Sequence, residues 1–445
     1  MRVLMVSWEF PPVVVGGLGR HVHALSRELV AAGHEVVVLS RAPTGTDAET
    51  HPTRTGTVDG VRVLRVAEDP PELEFGTDLV AWTLAMGHAM LRHALTALLP
   101  GWRPDVVHAH DWLVAHPSIA LADVLGVPLV ATVHATEAGR HSGWLPGPLN
   151  RQVHSTEWWL AQRADEVITC SGAMRTEVSA LHDLDPAAVH VVHNGIDPRR
   201  WRSRAAAPAH AGDGPRIVYF GRLEYEKGVQ DLIAALPRIR RRHRGTRLLV
   251  AGSGTQQEML AERAARHRMT RSVTFLGHLP DAELTALLRG ADAVVLPSRY
   301  EPFGIVALEA AAVGATLVAS TAGGLGELVR DGETGLGFAP GDVPGIADAV
   351  DRALADPAAA RRRARAARAR LRTEFAWPVI AGHTARIYAG ATAAGPRELP
   401  APRSPPGTCS TPEPPAQARS SRACRARSAL RAMSATAARS AAAAS

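Results

Sequence analysis

Lysine is almost missing from this chain: of its 50 Lys and Arg residues, 49 are arginine and the one lysine is Lys227. Arginine serves wherever a surface cation suffices. A lone surviving lysine is explained by chance or by a solvated surface loop, or, as its setting suggests, by a place that wants a compact point charge. Cysteine is scarce as well, with only Cys170, Cys409 and Cys424, and no C-x-x-C pair. That excludes a disulfide framework and a thiolate zinc site, and it suits a reducing, cytoplasmic setting. No window approaches the roughly 18 apolar residues of a membrane-crossing helix, which argues against a transmembrane segment and leaves peripheral membrane contact open. The N-terminal run Met1–Ser7 is too short for a signal-peptide core. Aromatic residues make up 4% of the chain, and nine of those twenty are tryptophan.

The net charge of +7 invites a nucleic-acid reading that its distribution excludes. Between Pro396 and Ser445 there are eight Arg and two Glu, a net +6, which leaves about +1 for the rest of the chain. A nucleic-acid surface needs a basic stripe on the folded part. The same tail is rich in Ala, Pro, Ser and Arg, with almost no core residues. Residues 395–445 are therefore predicted to be disordered.

At 445 residues the chain is too long for one ordinary core, and two domains are the natural division. Short apolar runs alternate with amphipathic stretches twice over. In the first half strands are predicted at 2–7, 35–39, 61–66, 106–108, 129–133 and 166–169, with a helix over 79–98. The pattern restarts after Pro215, with strands at 217–220, 248–251, 273–276, 293–296 and 316–320. Helices are predicted there at 229–241, 260–267, 284–288 and 305–312. This is an α/β chain of two Rossmann-like, doubly wound parallel sheets, divided as 1–195 and 196–374. The Ala/Pro/Gly/His segment 203–214 reads as a linker. In such sheets ligands sit beyond the carboxyl ends of the strands.

Four strand-end segments carry residues suited to chemistry. Gly16-Gly17-Leu18-Gly19 lies between the first strand and first helix, where bare backbone and a helix N-terminus favour a phosphate or sugar; an ordinary tight turn explains it equally well. Gly221-Arg222-Leu223-Glu224-Tyr225-Glu226-Lys227-Gly228 places Arg222 and Lys227 where they can clamp a diphosphate. It is not a Walker loop, because the Gly-Lys-Ser/Thr element is missing. Glu301-Pro302-Phe303-Gly304 ends a strand and opens a helix, with amides near Phe303 and Gly304 toward the cleft and Glu309 eight residues after Glu301. The apolar neighbours of Glu309 bury its helix, and an unpaired buried carboxylate is costly. His108-Ala109-His110-Asp111-Trp112 and His134 follow strands in the first half. Twenty histidines suggest a metal, yet no H-E-x-x-H element, strand-end D-x-D or acidic ligand spacing is present. No cofactor or metal is therefore expected.

In this order and spacing, the glycine loop, the G-R-L-x-x-x-K-G loop and the E-x7-E pair resemble the retaining GT-B glycosyltransferases of the glycogen-synthase type, from Met1 to about Ala389. Ser7–Pro12, His110–Pro117 and His134–Trp144 resemble more closely the mycobacterial α-1,4-glucosyltransferases of methylglucose lipopolysaccharide and glycogen synthesis. The resemblance implies transfer of glucose from UDP- or ADP-glucose to an α-1,4-glucan. It implies that Gly17 approaches the donor, that Asp111 and His134 line the sugar side, and that Arg222 and Lys227 hold the diphosphate. Glu301 would hold the transferred sugar and Glu309 the ribose. It also implies that a last helix at about 375–392 crosses back onto the first domain. A GT-B epimerase shares the fold, and a sugar-nucleotide-binding regulator shares the donor site. A phosphorylase needs a Schiff-base lysine for pyridoxal phosphate, and Lys227 alone is available.

Overall fold

Runs of valine, leucine and isoleucine build two parallel sheets in the computed structural model, which describes residues 1–13, 16–43, 52–67, 73–202 and 214–396. Almost all of the expected linker and tail lies outside those residues. The first sheet uses β1 (Arg2–Val6), β2 (Glu35–Arg41), β3 (Arg54–Val58), β4 (Val61–Val66), β5 (Val106–His110), β6 (Leu129–Val133), β7 (Glu166–Thr169) and β8 (Val189–Val191). Their order is β3-β4-β2-β1-β5-β6-β7-β8, and every pairing is parallel except that of β3 with β4. The second sheet uses β9 (Arg216–Phe220), β10 (Arg247–Ala251), β11 (Val273–Gly277), β12 (Ala293–Leu296), β13 (Leu317–Ser320) and β14 (Leu336–Phe338). Its order is β11-β10-β9-β12-β13-β14, parallel throughout.

Strand order reverses between β1 and β5 in the first sheet and between β9 and β12 in the second. Loops leaving two such neighbours diverge to opposite faces, and the gap between them is where open α/β sheets take ligands. The glycine loop leaves β1 and Asp111 leaves β5. The Arg222–Lys227 loop leaves β9 and Glu301 follows β12. The predicted segments therefore border a switch point, except His134, which follows β6 one strand further out.

The chain passes between the two halves twice, and the passages touch. Ile196 N–H donates to the Phe375 carbonyl at 2.8 Å, and Ile196 bridges to Ala376. The last helix, Trp377–Ala394, then lies on the first sheet. Its Ile380, Ala381, Tyr388 and Ala391 share a core cluster with Val3, Met5, Val22 and Val106. Tyr388 is fully buried and its hydroxyl lies 2.6 Å from His108 Nδ1. Thr132 Oγ1 lies 2.7 Å from the other ring nitrogen. Replacing Tyr388 by Phe keeps the shape and leaves a buried imidazole nitrogen without its partner. Chemical denaturation of Tyr388→Phe should show a loss of about 1–3 kcal/mol. An unchanged stability would mean that this contact does not anchor the last helix.

Candidate active site

The second sheet supplies an ion pair. Lys227 sits at the end of a short turn (Tyr225–Lys227), and its Nζ lies 2.9 Å from Glu301 Oε2. The two side chains are 14% and 12% exposed, so the pair is largely but not wholly shielded. Ser298 Oγ donates to the same carboxylate oxygen at 3.2 Å. Gly228, at φ +69°, makes this approach feasible, because a Cβ there would run into the Pro297 carbonyl. Arg222 lies in the same loop but is half exposed and paired with Glu226 at 3.3 Å. The structure thus brings Lys227 to Glu301 and leaves Arg222 beside them, held by a neighbouring carboxylate.

Beyond Glu301 the chain turns into the helix Ile305–Val313 through Gly304, at φ +99°. A side chain at Gly304 would meet Leu325 Cδ2 at 2.6 Å. The Phe303 ring faces inward, packing with His193 and Phe375 at centroid distances of 5.6 and 6.2 Å. The ring is thus spent on the core, which leaves the backbone near Phe303 and Gly304 as the part of this turn that can meet a ligand. Glu309 stands on the helix with burial pushing its carboxyl up to about 7, opposed by Arg20. Arg20 Nη1, from the first domain, lies 3.7 Å from Glu309 Oε1.

The first sheet supplies the glycine loop and imidazoles. A Cβ on Gly17 would meet Ile305 Cδ1 at 3.2 Å, so this loop abuts the start of the Glu309 helix. The amides of Gly16 and Gly19 donate to Glu9 Oε2 at 3.1 and 3.3 Å. A carboxylate of the chain itself takes up part of the anion-attracting backbone assigned to a donor phosphate. Asp111 adopts φ +64°, ψ 172°, a backbone state that costs a non-glycine residue about 1–3 kcal/mol. Its Oδ1 accepts the His134 N–H at 2.7 Å, and burial pushes its carboxyl up to about 6. Burial also pushes His134 down to about 4, so the ring is neutral at pH 7. The strand runs two residues past the predicted 106–108, so His110 belongs to it with His108. They lie within β5, two residues apart on one buried face. His110 Nδ1 is 3.2 Å from His134 Nε2. With His21 these form a group of three imidazoles that sequence spacing did not reveal, because they come from three separate segments.

Contacts between the halves converge on the loop that carries Glu301. Tyr300 hydroxyl donates to Glu177 Oε1 at 2.8 Å and accepts the Thr136 N–H at 3.4 Å. Thr136 Oγ1 donates to the same Glu177 oxygen. Ser171 Oγ donates to the Pro302 carbonyl at 2.7 Å. Glu327 receives the amides of Gly172 and Ala173, at the start of the helix Gly172–His182, at 3.1 and 2.8 Å. Sequence reasoning missed Glu9, Ser298, Tyr300, Glu177 and Glu327. Glu9 and Tyr300 border motifs already singled out; Glu177 and Glu327 gave no local signal.

Two sequence-family models divide the chain as the sheets do: Glycosyltransferase Family 4 matches residues 15–200 and Glycosyl transferases group 1 matches residues 202–370. The glycogen synthase of Mycobacterium tuberculosis is 59% identical over 396 residues, covering 88% of this chain and 95% of that protein. Among solved structures, sucrose-phosphate synthase from Thermosynechococcus elongatus superposes with a TM-score of 0.72 at 25% identity, covering 88% of this chain and all of that one. The catalytic domain of starch synthase IV from Arabidopsis thaliana, bound to ADP and acarbose, gives a TM-score of 0.69 at 18% identity over 88% of this chain and 99% of that one. Two doubly wound sheets, each with a topological switch point, joined to this likeness over nearly the whole described chain, place it plainly: it belongs to the glycosyltransferases of the glycogen-synthase type and is a transferase with the GT-B fold.

Proposed function

We propose that the cleft transfers glucose from UDP- or ADP-glucose to an α-1,4-glucan with retention at the anomeric carbon and without a metal. The observation that carries the reading is the shielded Lys227–Glu301 pair, set beyond the switch point of the second sheet and tied through Tyr300 and Pro302 to the first domain's His134–Thr136 and Cys170–Ser171 segments. The glucan acceptor follows from the likeness to the M. tuberculosis glycogen synthase. An ADP donor is compatible with the ligand named for the starch synthase, and UDP-glucose remains its equal.

The chemistry asks little covalent work of the protein. The C1–O bond to the diphosphate breaks with its electron pair going to the diphosphate oxygen. Lys227, released from Glu301, and Arg222, released from Glu226, offset that charge. Glu301 is then free to accept hydrogen bonds from sugar hydroxyls. The acceptor O4 bonds to C1 on the same face, and its proton passes to the departing diphosphate. Asp111 is engaged with the His134 backbone, which suits it to shaping the pocket rather than attacking C1. Neutral His134 can donate to or accept from a sugar hydroxyl without charging. Glu309 accepts the ribose hydroxyls. The interdomain contacts hold water away from the donor.

Lys227→Ala should lower kcat/KM for transfer from nucleotide glucose to maltooligosaccharide by about 10²-fold or more, and wild-type transfer should continue in EDTA. Near-normal turnover by the folded variant, or full loss in EDTA restored by Mg²⁺, would overturn this reading. Glu309 gives a pH dependence. Its carboxyl is protonated below about 7 in the free protein, and ribose hydroxyls need the carboxylate as acceptor. Donor KM should therefore rise up to about tenfold per unit as pH falls below that value, and level off above it. Glu309→Gln should flatten this profile. A wild-type KM that is constant from about pH 5.5 to pH 7.5 would remove Glu309 from the donor site.

A further inference from the structure

Three imidazoles meet beyond the first sheet's switch point: His21 from the helix Gly17–Ala31, His110 at the end of β5, and His134 just past β6. One ring nitrogen from each lies within 4.8 Å of the other two. His110 Nδ1 and His134 Nε2 are 3.2 Å apart, and the His21 and His134 ring centroids 4.9 Å apart. A tetrahedral ion with nitrogen ligands at about 2.0–2.1 Å sets those nitrogens about 3.3 Å from each other. One edge of that tetrahedron is thus already in place. Closing the others asks a movement of roughly 1.5 Å, mainly of the His21 ring.

The trio also has unspent capacity. His21 and His110 are 5% and 0% exposed, and each keeps a buried nitrogen, Nδ1 of His21 and Nε2 of His110, without a hydrogen-bond partner. His110 Nδ1 and His134 Nε2 share one hydrogen, which must move to the other nitrogen of its ring or be released when an ion takes both lone pairs. His108 does not compete. Both of its nitrogens are engaged, by Tyr388 and Thr132, and its ring packs against His110 at a tilt of 42° with centroids 4.1 Å apart, which restrains that ring. The Asp111 carboxylate is oriented to the His134 backbone, leaving an all-nitrogen donor set. His134 is only partly buried, so a fourth position can open to the cleft. Such a set suits borderline ions and rejects hard, oxygen-seeking Mg²⁺ and Ca²⁺.

We propose that His21, His110 and His134 form a binding site for a borderline divalent cation of the Zn²⁺ class, and that the bound ion inhibits glycosyl transfer by pinning the His134 ring. The inhibitory half rests on His134 lining the sugar side of the cleft. The binding half stands on the trio alone. A transferase that works without a metal is thereby open to reversible shutdown by one.

The test uses the full chain freed of metal by EDTA and dialysis, titrated with Zn²⁺ by calorimetry and with Co²⁺ by visible absorption. One equivalent should bind, Co²⁺ should give the intense d–d bands of a tetrahedral site, and millimolar Mg²⁺ should not displace it. His21→Gln and His134→Gln, each shown to be folded by circular dichroism and melting, should each weaken binding at least tenfold and lose the bands. Absence of binding, or binding unchanged in both variants, would overturn the site. In parallel, one equivalent of Zn²⁺ should cut wild-type transfer at least tenfold, and EDTA should restore it. Binding at the trio with transfer unaffected would overturn the inhibitory half, and with it the placement of His134 beside the sugar, while the metal site stands.

Discussion

The ion pair between Lys227 and Glu301 is the contact on which the rest of the site depends. Each of its side chains is mostly shielded, so removing one strands the other in a poor dielectric. Such a pair contributes little net stability against an apolar replacement, but it fixes geometry. It ties the loop after β9 to the loop after β12, across the switch point of the second sheet. Glycines at 228 and 304 let both loops approach and turn. A ligand carrying a diphosphate and a hydroxyl-rich ring can take over both partners at once, the ammonium by the phosphate and the carboxylate by the hydroxyls. The pair acts as a stand-in for its ligand, and this explains why a chain otherwise emptied of lysine keeps one here.

The two sheets divide the work. The second presents charge: Lys227, Arg222, Glu301 and Glu309. The first presents imidazoles that burial keeps neutral at pH 7, His134 with His110 and His21 behind it, beside the Asp111 carboxylate. Charge suits a diphosphate and ribose, and neutral donors suit a sugar. Where the halves meet, Tyr300 and Pro302 connect the Glu301 loop directly to Thr136, Glu177 and Ser171. The contacts between the halves and the position of Glu301 are therefore linked through adjacent residues.

Much of this was legible in the sequence because parallel strands buried on both faces read as short apolar runs, and strand-end loops inherit their place from those strands. Lys227 was visible through its uniqueness and Glu309 through the apolar helix around it. What stayed hidden depends on distance along the chain. Glu177 meets Tyr300 across 123 residues. His21, His110 and His134 join only when β1, β5 and β6 pair. β3 was missed because it is exposed and antiparallel and so carries no apolar run. The helix Pro148–Arg163 was missed because its polar residues dilute the apolar period.

The most direct test is the anomeric configuration of the first product. Nucleotide glucose and a maltooligosaccharide, incubated with the enzyme and followed by proton NMR of the new glycosidic bond, should give an α-1,4 linkage from the earliest time points. A β linkage would contradict same-face return of the acceptor. Release of an epimerised nucleotide sugar with no glucan elongation would contradict transfer altogether.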